Sequence, residues 1–181
     1  GLQAWDPDLD AAVAAMSAIG STVFLGGFFN QALSSSTPVT RNFAAAFTTS
    51  GELQAWDPDL DAAVLAMTTL GSTVYLGGYF EVAASTPRYR AAAFSTSGAL
   101  DPNWAPDLDG RGGQVSAMAA VGSTVYLGGD FDVALFTTTG VTRDYAAAFD
   151  TSGALLDWNP NIGPSLGGDV LALAASDSTV Y

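Results

Sequence analysis

The feature that most constrains this chain is a block of residues that keeps returning. Gly20–Gly27 (GSTVFLGG) reappears as Gly71–Gly78 (GSTVYLGG) and Gly122–Gly129 (GSTVYLGG), and a shortened copy, Ser178–Tyr181 (STVY), closes the chain. A second block, Ala4–Asp10 (AWDPDLD), returns as Ala55–Asp61 (AWDPDLD), as Trp104–Asp109 (WAPDLD) and weakly as Trp158–Ile162 (WNPNI). In a third, Arg41, Arg88 or Arg143 stands upstream of Phe47, Phe94 or Phe149, and a Thr-Ser-Gly turn follows each Phe. A period of about 50 residues means a stacked repeat architecture, because one such unit cannot bury its own apolar faces.

Within a unit the apolar runs are short and separated by turn residues, which is the rhythm of strands. The first unit predicts strand a at Val13–Ile19, strand b at 22–29, strand c at 42–48 and strand d at 53–56. Pro58 then ends strand d, since proline cannot donate to a ladder. The connection from b to c varies in length between units and is expected to be a surface loop. Ala-rich runs such as Ala91–Ala93 are too short and too closely bounded by turns to hold a helix. Four strands per unit at this period predict an all-β fold, a β-propeller of four-stranded blades rather than a β-solenoid with its shorter coils. The complete blades are expected at about 11–56, 62–104 and 113–158, with partial blades at 1–5 and 169–181. Because the last copy stops inside a strand, the chain is expected to be a window on a longer polypeptide.

Read together, Trp-x-Pro, Val-x-Ala-Met, Gly-Ser-Thr-Val-Tyr-Leu-Gly-Gly-x-Phe and Arg-x-x-Ala-Ala-Phe-x-Thr-Ser-Gly resemble the tandem repeats of secreted bacterial β-propellers of the delta-sixty type, with similar repeats in fungal cortical-marker surface proteins. The resemblance runs over essentially the whole chain. It implies an extracellular or cell-surface propeller with no common catalytic activity.

Composition narrows the chemistry. Eighteen acids against five Lys and Arg give a net charge of −13. That opposes nucleic acid, which requires cations to displace phosphate counterions, and anionic membranes. No apolar stretch is long enough to span a bilayer as a helix, so membrane insertion is not expected. With no His and no Cys, imidazole bases, thiol nucleophiles, His or Cys metal sites and disulfides are all absent. Only carboxylate chemistry remains. Acids that depart from the repeat, Glu52, Glu81, Asp130, Asp132 and Asp144, have no partner at a spacing that suggests a catalytic pair, and no enzyme is expected.

Three recurring residue sets are candidate sites. Asp6, Asp8 and Asp10, then Asp57, Asp59 and Asp61, copy the front half of a calcium loop, and Asp107 and Asp109 form a partial third copy. The glycine and bidentate glutamate that complete such a loop are missing, since Ala11 and Ser17, or Ala62 and Thr68, stand there. Calcium is therefore the one candidate cofactor, beside the reading of these segments as acidic turns that cap strands. Trp5, Trp56, Trp104 and Trp158 recur once per unit, which suits packing anchors between blades, and alternatively a platform for carbohydrate. Arg41, Arg88 and Arg143 occupy one equivalent position and are expected to bind Asp or backbone carbonyls between blades. The functional expectation is a non-catalytic structural or protein-interaction module that self-associates through open blade edges. The alternative is a carbohydrate-binding or calcium-stabilised module.

Overall fold

A computed structural model describes residues 5–33, 37–109, 113–162, 169–177 and 179–181. Of the expected first partial blade only Trp5 is described, and Ser178 of the last repeat copy lies outside the described residues. The described residues form strands and no helix, so none is long and apolar enough to cross a membrane.

Three small antiparallel sheets repeat one plan. In the first, β1 (Val13–Ile19) pairs with β2 (Thr22–Gly27) across a two-residue turn at Gly20 and Ser21. After a short ribbon of β3 (Gln31–Ala32) and β4 (Val39–Thr40), β5 (Ala44–Thr48) returns to the free edge of β2. The second unit repeats this with β6 (Val64–Leu70), β7 (Thr73–Gly78), the ribbon β8 (Val82–Ala83) and β9 (Thr86–Pro87), and β10 (Ala91–Ser95). The third does so with β11 (Gln114–Val121), β12 (Thr124–Asp130), β13 (Val133–Ala134), β14 (Val141–Thr142) and β15 (Ala146–Asp150). A fourth begins with β16 (Ala175–Ser176) and β17 (Thr179–Val180), whose ladder reaches out to Ala174 and Tyr181.

β1 has the bounds its sequence predicts, strand b ends at Gly27 rather than 29, where Phe28 turns away to the ribbon, and three other expectations are corrected. Strand c starts at Ala44 rather than 42 because Phe43 is left-handed (φ 64°), as are Arg90 and Tyr145 in the other units. Strand d is reduced to single bridges, Phe47 to Leu53, Phe94 to Leu100 and Phe149 to Leu155. The ladder stops there because an arginine guanidinium takes the next carbonyl, that of Gln54 in the first unit. The connection from b to c, expected to be plain loop, carries the paired ribbon. In the second unit that ribbon turns on Ala84 and Ser85, both at positive φ, the geometry that matches the twist of a two-residue hairpin.

A register shift between Val13 and Ala15, repeated at Val64/Ala66 and Val115/Ala117, inserts one extra residue into each first strand. The shift turns Val64 and Met67 onto one face, where both lie against Gly26 of the preceding sheet. Facing them from the first unit are Phe24, Ala44 and Ala46, which share a buried cluster with Trp56, Val74 and Phe94. Trp56, expected to end the first blade, packs on Phe94 of the second and belongs with it, as Trp104 does with Phe149 of the third, so the units begin at their tryptophans rather than end there. The next seam repeats the set, with Tyr75, Ala91 and Ala93 against Trp104, Val115 and Phe149. The sheets thus stack face to face, and two buried clusters lie in the seams between units, while a third, around Leu25, Phe29, Ala45 and Phe47, lies within the first unit.

Candidate functional site

Each seam turns on a tryptophan. The Trp56 indole is 3% exposed and meets Phe24 of the preceding unit edge-on at 5.0 Å and Phe94 of its own at 6.1 Å. Its Nε1 donates to the Ser95 carbonyl at 3.1 Å. Trp104 repeats this with Tyr75, Phe149 and the Asp150 carbonyl, and is fully buried. Trp158 meets Tyr126 at 5.0 Å and is half-buried. Trp5 donates to Thr48 and meets Phe47 at 6.2 Å, so it has the partners of its own unit.

The repeated arginines clamp each unit internally. Nη2 of Arg41 donates to the Gln54 carbonyl at 3.0 Å, Nη2 of Arg88 to the Asp101 and Pro102 carbonyls, and Nη2 of Arg143 to that of Leu156. Their second nitrogen donates to the carbonyl of the residue just before, Thr40, Pro87 or Thr142. These carbonyls lie within one unit rather than between blades, because the chain folds back through the Thr-Ser-Gly turn and lays strand d beside the arginine. Arg41 also makes a 3.5 Å contact with Asp57 in the acidic turn that leads into the second unit, the expected pairing with an Asp between units.

The acidic turns are occupied with the backbone. The middle residue of each copy, Asp8, Asp59, Asp107 or Asn161, is left-handed at φ 44–48°. The side chains of Asp6, Asp57 and Asn159 stabilise that bend by accepting the N–H two residues on. Asp59 also accepts from Asn42, and Asp107 from Thr137. Asp10 receives the N–H groups of Asn30 and Gln31, and Asp61 those of Glu81 and Val82, so each carboxylate caps the start of a ribbon. Asp109 holds its ribbon through its backbone, by bonds with Asp132 and Val133. Among the described residues no three His, Cys, Asp or Glu side chains are grouped so as to surround a cation. Of the acids that depart from the repeat, Glu81 pairs with Arg90 at 2.9 Å.

The bonds from Gln31 and Asn30 hold the Asp10 carboxyl below its ordinary value of 3.8. The Ser152 hydroxyl, then the Ala154 N–H, do the same for Asp150. Both carboxylates are ionised in the fold at pH values where the unfolded chain already binds protons. Their stabilisation is therefore present above pH 3.8 and is lost as the pH falls through the lower folded values. An Asp10→Asn, Asp150→Asn double variant keeps an acceptor oxygen at each place but no titration. Its urea midpoint is expected to fall less steeply than that of the wild type between about pH 4 and pH 2.

Two surfaces remain. Strands β1, β6 and β11, together with residues 171–173 of the fourth unit, border one cavity of about 230 Å³ that includes Met16, Met67, Met118 and Leu173. In the first unit, Trp5, Met16, Val23 and Thr49 line an open hollow of about 390 Å³. Sequence reasoning missed both, because each depends on how the units are set against one another.

No protein-family model matches the chain, and no curated protein matches it. It is similar to the crystal structure of the computationally designed Ika4 protein, with a TM-score of 0.58 and 16% identity over 94% of this chain and 84% of that one. A second similar structure is the computationally designed Ika8 protein, with a TM-score of 0.37 and 12% identity over 94% of this chain and 67% of that one. The likeness to Ika4 concerns the fold alone, and that to Ika8 carries no argument.

Proposed function

We propose that the units are blades of a β-propeller, and that the propeller is a non-catalytic, extracellular or cell-surface module for structural and protein-protein contacts. The observation that carries this reading is the shared cavity. Three first strands and the corresponding residues 171–173 of the fourth unit border one space, which is what blades set around a common axis produce. A straight row of sheets would hold the first and fourth units apart by three packing steps. The polar side chains support the non-catalytic part, since the arginines and the aspartates of the turns hold backbone groups of their own units. The acidic surface, low in cations, suits the extracellular setting that the repeat resemblance implies.

The test is a distance across the axis. The chain has no cysteine, so Ala14→Cys with Leu171→Cys, both exposed, accepts two nitroxides at chosen sites alone. With labelled chains diluted in unlabelled protein, double electron–electron resonance is expected to give a separation below about 20 Å. A separation above about 30 Å, three sheet-packing steps of about 10 Å each, would describe a straight row and remove the blade reading.

A further inference from the structure

We propose that Met16, Met67 and Met118 form a binding site for a soft monovalent cation, of the copper(I) and silver(I) class, in the cavity that the first strands border. The recurring Val-x-Ala-Met motif supplies Met16, Met67 and Met118 in turn, and Leu173 takes the same position in the fourth unit. The three methionines hold one register, opposite Leu25, Leu76 and Leu127 of the second strands. β6 packs beside β1, and β11 beside β6, so a motif spread along the sequence becomes a cluster in space. All three methionines border the same cavity of about 230 Å³. The chain has no other methionine and neither His nor Cys, so its whole supply of soft donors lies here.

The lining selects the kind of cation. Thioether sulfur is a polarisable donor that suits copper(I) and offers little to hard divalent ions. Ser116 is the single polar side chain of the lining and no carboxylate borders the space, so calcium and magnesium lack the oxygen ligands they require. A negative charge stands just behind the wall. Asp169 Oδ2 accepts from Ser116 Oγ at 3.3 Å and from Gln114 Nε2 at 2.6 Å, while its Oδ1 is buried with no hydrogen-bond partner among the described residues. That carboxylate and the net charge of −13 favour a positive charge in the cavity without ligating it. Glycines leave room for the long side chains, since Met67 Cε lies 3.2 Å from where a Cβ on Gly26 would stand, and Met118 Sδ 3.0 Å from one on Gly77. An unbranched side chain with three rotatable bonds lets each sulfur swing toward a shared metal. With leucine in the fourth place the site is three-coordinate.

Titration calorimetry of the full chain with silver nitrate, in chloride-free buffer, tests this. A single silver ion per chain is expected, with a dissociation constant of about 10 µM or below. Calcium at about 1 mM is expected to leave that binding unchanged. Met16→Leu, Met67→Leu and Met118→Leu each keep an apolar side chain of similar size and therefore the fold, which circular dichroism checks. Each is expected to weaken silver binding at least about tenfold. X-ray absorption of the copper(I) complex, prepared without oxygen, is expected to show sulfur neighbours alone. Binding weaker than about 100 µM, a substitution that leaves affinity unchanged, or a metal shell of oxygen or nitrogen would each overturn the proposal. Equal affinity in the urea-unfolded chain would overturn it too, because separate thioethers would then suffice. The site goes beyond the blade reading although it shares the cavity, and the nitroxide distance, measured without metal, tests that reading on its own.

Discussion

Trp104→Ala is expected to destabilise the protein by about 3–5 kcal/mol, read as a fall in the urea midpoint. The indole is fully buried between Tyr75 of the second unit and Phe149 of the third, with centroids at 4.9 and 6.2 Å, so its removal empties a seam rather than a surface. Domains of this size hold only about 5–15 kcal/mol in all, and a loss of that order leaves little margin. Trp104→Phe keeps most of the apolar contact and loses the bond to the Asp150 carbonyl, with an expected cost of about 1–3 kcal/mol. Trp158→Ala, at a half-buried position, is expected to lose less than Trp104→Ala. Equal losses at Trp104 and Trp158 would show that the seams do not depend on burial of the ring.

Gly77 and Val115 are expected to behave as one unit. A Cβ on Gly77 would lie 2.5 Å from Val115 Cγ1 and 3.0 Å from Met118 Sδ, across the seam between the second and third units. Gly77→Ala alone therefore overpacks the contact, at about 1–3 kcal/mol. Val115→Ala alone leaves a void where a fully buried side chain stood, at about 2 kcal/mol. In the double variant the added methyl enters the space that valine vacates. The combined loss is expected to fall short of the sum by about 1 kcal/mol or more in a double-mutant cycle. Additivity within about 0.5 kcal/mol would mean that the two sheets do not meet through this pair.

Both predictions concern seams, and seams are where reading the residues gave least. The first strand was legible from its own residues because Val13–Ile19 is a short apolar run that ends at a Gly-Ser turn. The start of strand c was not, since Phe43 is left-handed although an aromatic side chain rarely takes that conformation. Its N–H donates to Phe29 and its carbonyl accepts from Gly27, so long-range bonds impose the bend. The ribbon of β3 and β4 was hidden because two-residue strands have no period to detect. Its start is fixed by Asp10, some twenty residues upstream, and local sequence does not reveal that bond. The aspartate turns looked like part of a cation loop because alternating carboxylates serve either use. Only placement directs Asp6 to the N–H of Asp8 and Asp10 to a distant ribbon.

The sequence by itself determined the repeat, its period and its all-β character, because these depend on short-range patterns that recur with the same residues. It also marked the recurring tryptophans, arginines and glycine pairs as positions with one task per unit. Tertiary structure decided what each task is. It set Trp56 and Trp104 across seams, turned the arginines inward onto carbonyls of their own units, and brought three first strands and residues 171–173 to one cavity. The physical reason is that identical repeats carry identical local information, whereas burial depends on which neighbour lies against each face.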